Sequence, residues 1–106
     1  RTRNNSRIKE TIKQIVEDEI KRLGLNADLN HIDVSNVTDM HEMFAFSKFN
    51  GDISKWNVSK VYDMTRMFYE SKFNGDISSW KVRARELVNM FIKSPLESNP
   101  PSWYKK

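Results

Sequence analysis

Phe49-Asn50-Gly51-Asp52-Ile53-Ser54-Lys55-Trp56-Asn57-Val58-Ser59 is followed, 24 residues on, by Phe73-Asn74-Gly75-Asp76-Ile77-Ser78-Ser79-Trp80-Lys81-Val82-Arg83. The hexapeptide FNGDIS returns unchanged, and Trp56 returns as Trp80 at the same step. A period of this size marks one supersecondary unit stacked on copies of itself. Such stacks bury their recurring residues and present their variable ones, so the pattern points to a binding surface rather than to a catalytic pocket.

Working outward, the second unit is Phe49–Lys72 and the third begins at Phe73. A worn first unit, Leu25–Lys48, carries Ile32, Asp33, Val34 and Ser35 where the second has Trp56, Asn57, Val58 and Ser59. The third unit loses one residue after Val82, and then Ala84, Leu87, Met90 and Phe91 replace Val61, Met64, Met67 and Phe68. A truncated fourth unit follows, with Leu96 aligned to Phe73 and Trp103 to Trp80. The expected organisation is a capping segment at 1–24, repeats at 25–48, 49–72 and 73–95, and a closing half-repeat at 96–106. The ends then read as those of a small closed unit.

Two periods alternate within a unit. Trp56 to Ser59 alternates apolar and polar residues, which predicts a short strand. Val61, Met64, Met67 and Phe68 are spaced as one face of a short helix, as are Val37, Met40, Met43 and Phe44. Ser35 and Ser59 precede these stretches as candidate caps. Asn50-Gly51-Asp52 and Asn74-Gly75-Asp76 predict corners at which glycine supplies a positive φ. Asp28, Asp52 and Asp76 share one corner position, so corner geometry explains their repetition better than a carboxylate pair does. The predicted fold is an α/β solenoid of about 3.5 strand–helix repeats with short parallel strands. Trp56 and Trp80 are predicted core, since Ile32 holds their place in the first unit.

Ser6–Leu23 predicts an amphipathic helix laid over the first unit. Ile8, Ile12, Ile15, Val16, Ile20 and Leu23 form its stripe, which only Glu19 interrupts. Ser6 and Gly24 are its predicted ends. Glu10 with Gln14, and Glu17 with Lys21, support the polar face.

The stretches FNGDISKWNVSKVYDMTRMF and IDVSNVTDMHEMF resemble the BspA-like leucine-rich-repeat family, in the short variant found in bacterial surface proteins. The resemblance runs from Leu25 to about Phe91, or to Trp103 with the half-repeat. It implies a leucine-rich-repeat-like solenoid, adhesion or other protein–protein contact, and a place at the cell surface or outside it. It brings no catalytic residues. The few repeats, the N-terminal helix and the closing segment Pro95–Trp103 depart from long surface arrays. They suit a small phage or mobile-element protein acting in the host cytoplasm, inhibiting a defence enzyme complex such as a CRISPR effector.

The 106 residues carry 18 Lys and Arg against 14 Asp and Glu, a net charge of +4. This basic balance keeps nucleic-acid binding as a second reading. With no Cys, disulfides and thiolate metal sites are excluded. No apolar run approaches the ~20 residues that span a bilayer, so no membrane insertion is expected. His31 and His41 are the only histidines. Asp39, His41 and Glu42 do not share one helical face, so no metal or other cofactor is expected. No phosphate loop or nucleophile motif is present. The expected function is non-catalytic binding of a protein partner by a monomer, through the strand face. The residues expected to carry it are Asp33, Asn57, Ser59, Lys81 and Arg83, which change at fixed outward positions. Trp103, Tyr104 and Lys105 form a second patch.

Overall fold

The computed structural model describes residues 11–105. Among them the only α-helix is α1, Ile12–Leu23, and the only other helical element is a 3-10 turn at Pro95–Glu97. Ser6, Ile8 and Glu10 lie outside the described residues. The Thr11 side chain accepts the Gln14 N–H at α1's first turn, and Gly24 ends the helix at φ 104° with its N–H on the Ile20 carbonyl. Val16 is buried, and Ile12 and Ile20 pack against the core. Glu19, the polar residue in the stripe, accepts from Arg22 at 2.7 Å and meets the His31 ring at 2.5 Å. Lys13 Nζ donates to the Glu42 carbonyl. The helix is thus held by an apolar stripe and by two polar ties to the first unit.

The expectation of an α/β solenoid built from strand–helix repeats is overturned. Among the described residues there is no sheet, only isolated parallel bridges Asp28↔Asp52, Asp39↔Asp63 and Asp63↔Glu86. No α-helix forms among the described residues of the repeats. The leucine-rich-repeat assignment falls with that architecture. The expected strands fail for a local reason. Trp56 and Val58 do point inward and are buried, but the Asn57 side chain accepts the Ser59 N–H at 3.1 Å and Asp33 accepts that of Ser35 at 2.9 Å. These side-chain turns compete with strand pairing.

The expected helices are replaced by a ladder of turns. The N–H groups of Met43, Ala45 and Ser47 donate three residues back, to Met40, Glu42 and Phe44. The intervening N–H groups, of Met40, Glu42, Phe44 and Phe46, reach across to the carbonyls of Asp63, Thr65, Met67 and Tyr69 at 2.8–2.9 Å. The second unit repeats the scheme, with Met64, Arg66, Phe68 and Glu70 donating to Glu86, Val88, Met90 and Ile92. Alternate donors are thus satisfied locally and across, which accounts for the backbone polar groups as completely as a helix would. The turns impose a left-handed residue every fourth position: Glu42 and Phe46, Arg66 and Glu70, Asn89 and Lys93, at φ 51–62°. In the Met40–Met43 and Phe44–Ser47 turns these are third residues, where a type II turn takes positive φ.

The core is a column of aromatic rings. Phe44, Phe68 and Phe91 stack nearly parallel at 5.5 and 5.7 Å, and Phe49 stacks on Phe73 at 6.2 Å. The indole N–H of Trp56 donates to the Leu29 carbonyl, that of Trp80 to Ile53, and that of Trp103 to Ile77. Each ring satisfies a main-chain oxygen of the preceding unit while its face fills the core. Gly51 and Gly75 do not take the positive φ expected of them; only Gly24 does. Gly51 is required by space, since a Cβ there would lie 1.9 Å from the Ala27 carbonyl oxygen.

Candidate functional site

The polar residues predicted to face a partner are largely turn-formers. The Asp33 carboxylate accepts the Ser35 hydroxyl at 2.6 Å and its N–H at 2.9 Å, and these bonds hold it below the usual aspartate range. Asn57 does the same with the Ser59 hydroxyl at 2.7 Å. Lys81 and Arg83, the third-unit counterparts, are exposed and make no such turn. Asn57 and Lys81 come together in a shallow groove of about 300 Å³ between the second and third units.

The corner aspartates follow the same chemistry. Asp52 accepts the Ser54 N–H, the Ser54 hydroxyl and the Asn30 side chain, which push its pKa down to about 2. Asp76 accepts the Ser78 hydroxyl and N–H and is also lowered.

Among the described residues, Asp39, His41 and Asp63 could each present a ligand atom to a cation within 4.8 Å of one another. Glu42, adjacent in sequence, approaches Arg66 instead, at 3.9 Å. The trio reads as an ion pair closing a turn. Burial of Asp39 acts to raise its pKa, yet the His41 N–H at 3.0 Å and ring Nδ1 at 2.7 Å outweigh it and lower it. Asp39 in turn raises the pKa of His41. A proton retained on His41 competes with any metal. Each histidine therefore spends its described side-chain hydrogen bond on a carboxylate, His31 on Glu19 and His41 on Asp39, and neither is paired with a hydroxyl nucleophile.

The second predicted patch divides. Trp103 and Tyr104 are half-buried and close the last unit, Trp103 stacked 6.3 Å from Trp80 and Tyr104 edge-on to Phe91 at 4.9 Å. Tyr104 and Lys105 also line a groove of about 490 Å³ with Arg85, Leu87, Val88, Asn89 and Ile92. Val88 is 59% exposed. Sequence reasoning missed it, although its signal was present: Thr65 and His41 hold the equivalent ladder positions, so Val88 is a change from polar to apolar at a fixed outward place.

The turn ladder carries a further exposed apolar band. Phe46 is 68% exposed and meets Tyr69 edge-on at 5.5 Å. The Arg66 guanidinium lies 5.4 Å over the Tyr69 ring. Ile92, half-buried, follows Tyr69 in the ladder, its carbonyl accepting the Glu70 N–H. No helix among the described residues is long and apolar enough to cross a membrane.

A family profile described as "Mycoplasma protein of unknown function, DUF285" matches residues 8–103. Comparison with curated proteins and with solved structures finds no match.

Proposed function

The chain belongs to the DUF285 family, and on that premise we propose that it is a non-catalytic module that binds a protein partner. The observation that carries this reading is Phe46, 68% exposed, packed edge-on against Tyr69 beneath the Arg66 guanidinium. Aromatic side chains and arginine dominate protein interfaces because they bury large area at low conformational cost. Here the rings are braced before binding, so less ordering is lost when a partner arrives. The binding face is the turn ladder with the groove at its end, in place of a strand face. Asn57, Lys81 and Arg83 extend it on the neighbouring side. Whether the partner is a surface protein or a host enzyme decides between adhesion and inhibition.

Cross-linked capture from the source cell tests the reading. The wild-type chain is expected to retain a discrete protein that is lost at least tenfold on Phe46→Ser with Tyr69→Ser. Nuclease-sensitive retention with a steep salt dependence, or equal retention by the variant, overturns it.

A further inference from the structure

The cross-unit bonds of the turn ladder run in one sense, each unit giving its N–H groups to the next. The third-unit counterparts of Met64, Arg66, Phe68 and Glu70 are Leu87, Asn89, Phe91 and Lys93. The Lys93 N–H finds the Glu97 carboxylate at 2.9 Å. Among the described residues, the N–H groups of Leu87, Asn89 and Phe91 have no hydrogen-bond partner. Phe91 is buried, and Leu87 and Asn89 are half-buried. A donor withdrawn from water without a partner costs about 1–3 kcal/mol, as at buried Phe91, while Leu87 and Asn89, at the groove, can exchange water for a carbonyl oxygen.

Leu87 and Asn89 line the groove of about 490 Å³ whose other walls include Arg85, Val88, Ile92, Tyr104 and Lys105. Leu87 and Asn89 lie within one turn, and in the preceding row the equivalent N–H groups of Met64 and Arg66 are met by carbonyls two residues apart on one chain, those of Glu86 and Val88. Val88 and Ile92 supply apolar contact. Arg85 and Lys105 have no carboxylate within ion-pair distance among the described residues.

We propose that this groove docks an extended, carboxylate-bearing segment of a partner protein, whose alternate carbonyls accept from Leu87 and Asn89 and continue the ladder by one more row. The proposal rests on the protein-binding reading above and names its site and partner chemistry. Main-chain bonds give such docking its affinity, and alternate side chains give it specificity. The two cations select acidic side chains. A second copy of this chain is a poorer occupant. It would have to offer the Asp39, His41 and Met43 carbonyls of its own first unit, in a groove walled by Thr11, Ile12 and Lys13 at the start of α1.

The test is a titration of the isotope-labelled full chain with a blocked octapeptide alternating Glu and Val, followed by amide NMR. The expected result is saturable downfield shifts and slowed exchange at the Leu87 and Asn89 amides. Affinity should fall at least tenfold for Arg85→Glu with Lys105→Glu, and likewise for an octapeptide alternating Lys and Val. Leu87→Pro removes one donor, and the bridge at Glu86 leaves the preceding residue extended, as proline prefers. This variant too should bind at least tenfold more weakly; if it unfolds, the double charge reversal decides. The proposal is overturned by absence of saturable shifts, by shifts centred elsewhere, by displacement with a DNA oligonucleotide at comparable affinity, or by a concentration-dependent dimer using these amides without peptide. A captured cellular protein that binds the charge-reversed chain as well as the wild type overturns the groove and leaves protein binding standing. Octapeptide binding without any captured protein does the reverse.

Discussion

The second and third units share most of their sequence but not their surroundings. The second, Phe49–Lys72, has a neighbour on each side. Its ladder carbonyls accept from the first unit, and its ladder N–H groups donate to the third. The third accepts from the second, but three of its donors have no described partner. The middle unit therefore measures what holds the stack together, and the last measures what the stack leaves available. Substitutions that follow the repeat should hurt most in the middle; substitutions that touch recognition should cost little stability and act at the end.

The largest contrast is expected from Phe68→Ala against Val88→Ser. Phe68 is fully buried and stacks on Phe44, Phe73 and Phe91. Its truncation should cost about 3–5 kcal/mol, a large fraction of the stability of a domain of this size. Val88→Ser should change stability by less than about 0.5 kcal/mol while weakening partner binding. Chemical denaturation of both variants checks the pair.

Gly51→Ala is next. The new methyl group would meet the Ala27 carbonyl oxygen, a main-chain atom that cannot swing aside. A loss of about 3 kcal/mol is expected, read from the denaturation midpoint. A smaller loss is expected at Gly75, where the nearest main-chain oxygen is 3.2 Å from the added atom.

Trp56→Phe removes one of two donors to the buried Leu29 carbonyl, which keeps the Ile32 N–H, and should cost about 1 kcal/mol. The same change at half-buried Trp103, whose acceptor Ile77 keeps the Trp80 N–H, should cost about half as much, since the indole itself is part-exposed. Equal losses would mean that the closing segment is as tightly packed as the middle unit.

Arg66→Gly should stabilise by about 1 kcal/mol, because φ 54° burdens a residue with a Cβ and suits glycine. Asn89→Gly, at φ 56°, should gain only a few tenths, since asparagine tolerates this conformation. Thermal melts read both.

The smallest effect is on the acid limb. The folded pKa of Asp52 lies at about 2, below its ordinary 3.8. A depressed carboxylate stabilises the fold at pH above the ordinary value and loses that contribution as pH falls toward the folded one. Asp52→Asn keeps the turn geometry that Asn57 already uses and removes the titrating group. Between pH 4 and 2 its stability should fall less than that of the wild type, followed by circular dichroism.

The register of the repeat and much of the core were legible in the sequence. Phe49, Ile53, Trp56, Val58, Met64 and Met67 recur as apolar residues, and all are buried. The local backbone was not legible. Met64, Met67 and Phe68 stand at a spacing that serves a helix face and a run of type II turns equally well. What separates the two is the left-handed residue, and here it is Glu42, Arg66 or Phe46 rather than the glycine that would have announced it. The strand reading failed because Asp33 and Asn57 hydrogen-bond their own chain two residues on. Tyr104 and Lys105, singled out in the sequence, line the groove proposed as the site. The open donors beside them were not, because an unpaired main-chain N–H leaves no mark in a sequence.

The one-way sense of the ladder also makes that face electrically polar. Eight cross-unit amides, four between the first and second units and four between the second and third, point their N–H ends toward the last unit. Elsewhere, bonds such as Asn50 to Leu25 and Tyr62 to Thr38 run the other way, so the polarity belongs to the ladder alone. Aligned amides sum to partial charge at the ends of a row, as they do along a helix. The positive end falls where Arg85 and Lys105 stand, and the negative end beside Asp39. The backbone and the side chains thus tilt the field the same way, and an approaching anion would be oriented before it touched a single residue.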